Sequence, residues 1–228
     1  MEIQFRMQEF DNYYDGNEND QPKIIHEERY IPYVTYALAG LNIIVFILEL
    51  MKGDPMDPKF MLKMGGACTP YILGKGEWYR MISSMFLHYG FKHFFFNMIA
   101  LVAIGRYIEI YFGRVKYFIL YMVSGLMGNL VFLFSDLLLS PGGYTVSAGA
   151  SGAISGLFGA LLVLAIDKNT KQLFPLPRVI FGILLLIIPG IGNSTINVAA
   201  HIGGAICGVV IGFLYYFFSK RSNKQTTF

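Results

Sequence analysis

Six apolar runs recur along the chain, at about 31–51, 93–112, 115–134, 147–166, 179–189 and 197–218. About 20 apolar residues in an α-helix cross the hydrocarbon of a bilayer, so runs of this length constrain the chain more than any other feature. Composition agrees: 54% of residues are hydrophobic and 14% charged, against about 25% charged in ordinary globular domains. These values exclude a cytosolic enzyme and, outside the first thirty residues, a disordered chain. The expected class is an all-α membrane protein, a bundle of six transmembrane helices with five and seven as the bounds on the count. The fifth run is short of a full span, so it either extends through 190–195 or is tilted and partly broken.

Charge divides the chain into three parts. Residues 1–30 carry eight acids against three bases and are expected to form a flexible acidic tail. Residues 31–218 hold the helical domain, and 219–228 form a short basic tail. The first thirty residues lack the basic stretch and apolar run of a cleaved leader. Arg114 and Lys116, then Lys168, Lys171 and Arg178, then Lys220, Arg221 and Lys224 follow runs two, four and six, while 136–149 and 190–196 have no Lys or Arg. Positive residues favour the cytoplasmic side, so both termini are expected there. The first loop, 52–92, carries six positive residues on the opposite side. Its aromatics Phe60, Tyr71, Trp78 and Tyr79 suit a structured segment at the membrane interface, which can escape that tendency. No Lys/Arg stripe suggests nucleic acid. Cys68 and Cys207 allow at most one bridge and no Cys-rich metal site.

Polar side chains inside apolar runs usually face a bundle interior and often act there. Run two opens with His93-Phe-Phe-Phe-Asn97 after His88, and its i, i+4 spacing puts His93 and Asn97 on one face. Run four contains Gly149-Ala150-Ser151-Gly152. Run six carries Asn197 and His201 one turn apart. Alternating spans make runs two, four and six parallel, so these residues share one depth. A serine and a histidine at matched depth can perform acyl transfer, the imidazole taking the hydroxyl proton. Glu49, Glu109, Asp136 and Asp167 lie at run ends or in loops, so a Ser151–His201 dyad is expected rather than a triad. His93, the Asn97 amide and free N–H groups at the start of run four can stabilise developing oxyanion charge.

Small residues supply the close packing that such a pair needs. Gly152, Ser155, Gly156, Gly159 and Ala160 smooth run four, while Gly204, Gly208 and Gly212 form two GxxxG steps in run six. Each residue also has a plainer role. Ser151 alone could be a packing residue, His201 a hydrogen-bonded bundle histidine, Asn97 a helix bridge and Cys207 a small filler. Asn197 reads best as a helix cap, and Trp78 and Tyr79 could be interface anchors only. His88 and His93 are five residues apart and lack the His-Glu-x-x-His pattern, so neither metal nor another cofactor is expected.

These residues resemble the rhomboid family of intramembrane serine proteases. The matches are Trp78-x-Arg80, His88-x4-His93-x3-Asn97, Glu109-x3-Gly113, Gly149-Ala-Ser151-Gly152 and Ala200-His201-x2-Gly204-x3-Gly208, in family order from about residue 31 to 218. The resemblance implies Ser151 as nucleophile, His201 as base, and an oxyanion hole from His93, Asn97 and the Ser151 N–H. It implies that His88, Trp78 and Arg80 stabilise the first loop, and that span five moves to admit substrate. Gly149, Gly152, Gly204 and Gly208 are structural supports. Expected partners are membrane lipids and single-span substrates with a small residue before the scissile bond. A bacterial cell membrane is the expected location. Many relatives carry an aromatic four residues after the nucleophile; here Ser155 stands there, and Asn197 or a water is left to hold His201. Two competitors are a catalytically inactive, client-binding relative and a channel or transporter. The first usually lacks the serine or histidine, and the second often shows internal repeats, which are not found.

Overall fold

The computed structural model describes residues 30–141, 143–166, 170–171, 174–187 and 197–225, with side chains for all of these except 185–187 and 219–225. The acidic tail up to residue 29, Asp167, Lys168, the segment 188–196 and the basic side chains after 218 lie outside the described residues. Eight α-helices are present among those described: α1 (Tyr33–Lys52), α2 (Pro58–Met64), α3 (Arg80–Ser83), α4 (Gly90–Phe112), α5 (Arg114–Leu139), α6 (Ser151–Ile166), α7 (Leu176–Ile187) and α8 (Val198–Gln225). No strand occurs among them. One isolated antiparallel bridge joins Ala67 to Ser147. Helices α1, α4 and α5, and α8 from Val198 to Phe218, are long and apolar enough to cross a membrane; α6 is a shorter apolar helix of 16 residues.

Local chemistry explains where the elements begin and stop. Asp57 caps α2 by accepting the Lys59 N–H at 2.9 Å, Pro58 opens the helix, and Gly65 closes it at φ 108°, a conformation that favours glycine. Gly113, at φ 82°, is the whole connection between α4 and α5. The fourth apolar run was expected to be helical from 147, yet α6 starts at Ser151. Ser147 is held extended by two 2.8 Å backbone hydrogen bonds with Ala67, and Gly149 takes φ 143°. Helix α5 runs to Leu139, past the expected end at 134, and α7 starts at Leu176 rather than 179.

Helix α6 is buried on nearly every side and sits at the centre, against α5, α7 and α8. An apolar helix without a polar face belongs in such a position. Its contact with α8 is backbone on backbone. A Cβ at Gly204 would overlap the Gly152 carbonyl, one at Gly208 the Gly156 carbonyl, and one at Gly212 would press on Ala160. Outside this contact, two buried glutamates pin α1 to α4. Glu109 accepts hydrogen bonds from Val34 N (3.1 Å), Thr35 N (2.7 Å) and Thr35 Oγ1 (2.8 Å). Glu49, at the other end of α1, accepts the His88 N–H at 3.1 Å.

Candidate active site

Ser151 opens α6 and His201 lies in the first turn of α8. Their Oγ and Nε2 atoms are 2.7 Å apart. One turn along α8 from His201, Gly204 rests on the backbone of Gly152, the residue after Ser151. The absence of a side chain at 204 therefore sets the separation at which the hydroxyl meets the imidazole. Asn197 fixes the start of α8, its Oδ1 accepting the Ala200 N–H at 3.0 Å as a cap. Its Nδ2 donates to Ser147 Oγ at 2.8 Å, tying α8 to the extended segment before Ser151. Ser155, where an aromatic was the family expectation, donates to the Ser151 carbonyl at 2.8 Å and so bonds within its own helix.

Gly149 shapes the space beside the serine. Its N–H donates to the Ser84 carbonyl at 2.9 Å, and its φ of 143° disfavours any side chain. A Cβ there would lie 2.7 Å from His93 Cε1 and 3.4 Å from Ser151 Oγ. The missing side chain leaves a gap between the His93 ring and the serine. A pocket of ≈ 20 Å³, lined by His93, Asn129, Ser147, Gly149, Ser151 and His201 among others, occupies this region. Its size suits about one water.

Other predicted residues fall around this centre. Asn97 is buried one turn deeper along α4 than His93 and does not line the pocket; its amide nitrogen has no protein partner among the described residues. His88 is fully buried, its ring 5.4 Å from that of His93 and edge-on to Phe46 and Phe94. Burial, reinforced by His93, pushes the His88 imidazole down to about 3. Arg80 is buried in the first loop, where it donates to Glu77 Oε2 at 2.6 Å, the Leu62 carbonyl at 2.6 Å and the Gly66 carbonyl at 3.0 Å. The Arg80 hydrogen bond holds the Glu77 carboxyl below its usual range. Trp78 turns outward and is 56% exposed. A Cβ at Gly152 would meet Ala200 only at ordinary contact distance, unlike Gly204 and Gly208.

Asn129 was not anticipated. It donates to the Met81 carbonyl at 2.8 Å and to Ser84 Oγ at 2.9 Å, joining α5 to the segment that also receives the Gly149 N–H. An amide inside the third apolar run was the available signal. Asn197 and Ser147 form the second unforeseen link, because a contact 50 residues apart leaves no periodic trace.

A family model for the rhomboid domain matches residues 75–218. The chain is 32% identical over 224 aligned residues to the rhomboid protease GluP of Bacillus subtilis (strain 168), covering 86% of this chain and 42% of that protein. It is 33% identical over 203 residues to the rhomboid protease AarA of Providencia stuartii, covering 80% and 72%. It is 36% identical over 175 residues to RHOMBOID-like protein 5 of Arabidopsis thaliana, covering 74% and 53%. The alignment thus spans about half the length of GluP and of RHOMBOID-like protein 5. With the domain matched over most of the chain, a relative 33% identical over 80% of this chain and 72% of its own, and four helices long and apolar enough to cross a bilayer, this is an integral membrane protein of the rhomboid family.

Proposed function

We propose that the protein is an intramembrane serine endopeptidase that cuts transmembrane or juxtamembrane segments of single-span membrane proteins. The observation that carries the reading is the 2.7 Å contact between His201 Nε2 and Ser151 Oγ. Two relatives bear the name rhomboid protease. Residues 31–218 form the catalytic domain, crossing the membrane six times with both termini in the cytoplasm of a bacterial cell.

The chemistry proceeds in two halves. Neutral His201 accepts the Ser151 proton as Oγ attacks the scissile carbonyl carbon. Negative charge then develops on the carbonyl oxygen, which lies toward the gap left by Gly149. His93, the Asn97 amide and the Ser151 N–H serve as its donors. His201 returns the proton to the leaving amine, and the amine product departs. Water, deprotonated by His201, cleaves the resulting Ser151 ester. A helical substrate shields its own peptide bonds, so local unwinding precedes attack.

The test is cleavage of a single-span reporter with a helix-breaking juxtamembrane segment, co-reconstituted in lipid vesicles. Wild type is expected to cut it, and Ser151→Ala and His201→Ala to lose on the order of 10³-fold or more of the rate. Cutting by Ser151→Ala at the wild-type rate would overturn the proposal.

A further inference from the structure

A second cavity, of ≈ 280 Å³, lies beside the Ser151 pocket and shares Ser147, Ala148 and Asn197 with it. The end of α5, the segment 145–148 and the start of α8 form its walls, and it is open on one side. Ser135, Asp136, Ser140, Thr145, Ser147 and Asn197 are the polar residues that line it. Its volume is below the about 300–1,000 Å³ of small-molecule pockets and suits a single side chain.

Asp136 is the anomaly in this lining. Only 6% of its surface is exposed, and it forms part of the cavity wall. It also sits in the last turn of α5, where the backbone carbonyls already present negative charge. Among the described residues its carboxylate receives no hydrogen bond and enters no ion pair. Arg80, in the neighbouring first loop, spends its donors on Glu77, Leu62 and Gly66. A carboxylate without a partner among the described residues, set in a polar lining, suits a cation that carries several N–H donors.

We infer that this cavity is a substrate subsite for a lysine or arginine side chain close to the scissile bond, with Asp136 as its counter-charge. The inference rests on the endopeptidase reading. Ser147 and Ala148 wall both pockets, so a peptide whose carbonyl reaches Ser151 can pass a neighbouring side chain across that segment into the cavity. The residue just before the bond is expected to be small, which assigns the cation to another position nearby. Asp136 thereby sets specificity and takes no part in bond cleavage.

The test uses single-span substrates carrying Lys, Met or Glu at each of three positions on either side of the cleaved bond. They are cut in vesicles by wild type, Asp136→Asn and Asp136→Lys. Rates are normalised to the fraction of protein labelled by a fluorophosphonate, so that each refers to activated serine. At one position, wild type is expected to favour Lys over Met and Glu by about tenfold in kcat/KM, or about 1.4 kcal/mol. Asp136→Asn should abolish that preference, and Asp136→Lys should favour Glu. Labelled enzyme that shows no Lys preference, or the same preference in Asp136→Asn, overturns this inference alone. Wild type that neither labels nor cuts any substrate overturns the endopeptidase reading, and this inference with it.

Discussion

Ser151 and His201 meet at 2.7 Å because the residues around them give up side-chain volume. Gly149 shows this most sharply, since its φ of 143° and its closeness to His93 both exclude a Cβ. Gly149→Ala is expected to keep the helical fold but cut fluorophosphonate labelling at least tenfold; labelling at the wild-type rate would show that the gap is not needed. His88 offers a pH prediction. Its imidazole is neutral in the fold down to about 3, whereas an unfolded histidine binds a proton below about 6.5. The unfolded state therefore takes up the extra proton, and this contribution to stability is present above about 6.5 and shrinks as pH falls toward 3. Between those limits the slope approaches about 1.4 kcal/mol per pH unit. Thermal melts from pH 7 to pH 4 should show a steeper fall for wild type than for His88→Phe, and parallel falls would contradict it. At this scale much of the site was legible, because Ser151, His93 and His201 stand out as polar residues in apolar runs. Glu49 was set aside as a residue at the end of a run. Its acceptance of the His88 N–H, 39 residues away, follows from tertiary packing that no local pattern encodes.

Helix α8 lies on α6 through Gly204, Gly208 and Gly212, and the partner atoms at the first two are backbone carbonyls that cannot rotate away. Gly208→Ala is expected to destabilise the protein by about 1–3 kcal/mol, the usual cost of overpacking, while Gly152→Ala stays close to wild type. Melting temperatures in one detergent check the contrast, and equal losses would contradict it. The GxxxG steps made this close approach legible, but not the difference between Gly152 and Gly204, which depends on which atoms face each position. At the end of α1, Glu49→Ala leaves the buried His88 N–H unpaired, a loss of about 1–3 kcal/mol. Glu49→Gln keeps an acceptor and should recover part of it. The start of α6 shows the limit of hydropathy as a guide. Residues 147–150 belong to an apolar run, yet the pairing of Ser147 with Ala67 and the Gly149 conformation keep them out of the helix. Those four residues bring the Asn197 bond, the Ser84 contact and the gap beside Ser151 to one place.

Across the described residues, four helices long and apolar enough to cross a membrane, with a 12-residue α7, pack with the shorter α6 that carries Ser151. Alternation of the apolar runs was enough to place Ser151, His93 and His201 in one layer, without fixing which side of the membrane they face. Composition showed the first loop as mixed and aromatic, and the family resemblance added a structured loop with Arg80 among its supports. Its helices, the Ala67–Ser147 bridge and the burial of Arg80 arise from long-range pairing. The proposed six crossings would place both termini on one side, and by the positive-inside tendency the basic residues after runs two, four and six would make that side the cytoplasm. Reporter fusions at the two ends should therefore both register as cytoplasmic; opposite sides would contradict the count. The central claim is that Ser151 is activated by His201. It is tested most directly by fluorophosphonate labelling of purified protein, in detergent and in lipid, for wild type, Ser151→Ala and His201→Ala. Labelling of wild type and its loss in both variants, with folding intact, is the predicted result; equal labelling of all three, or none of wild type in lipid, would contradict the account.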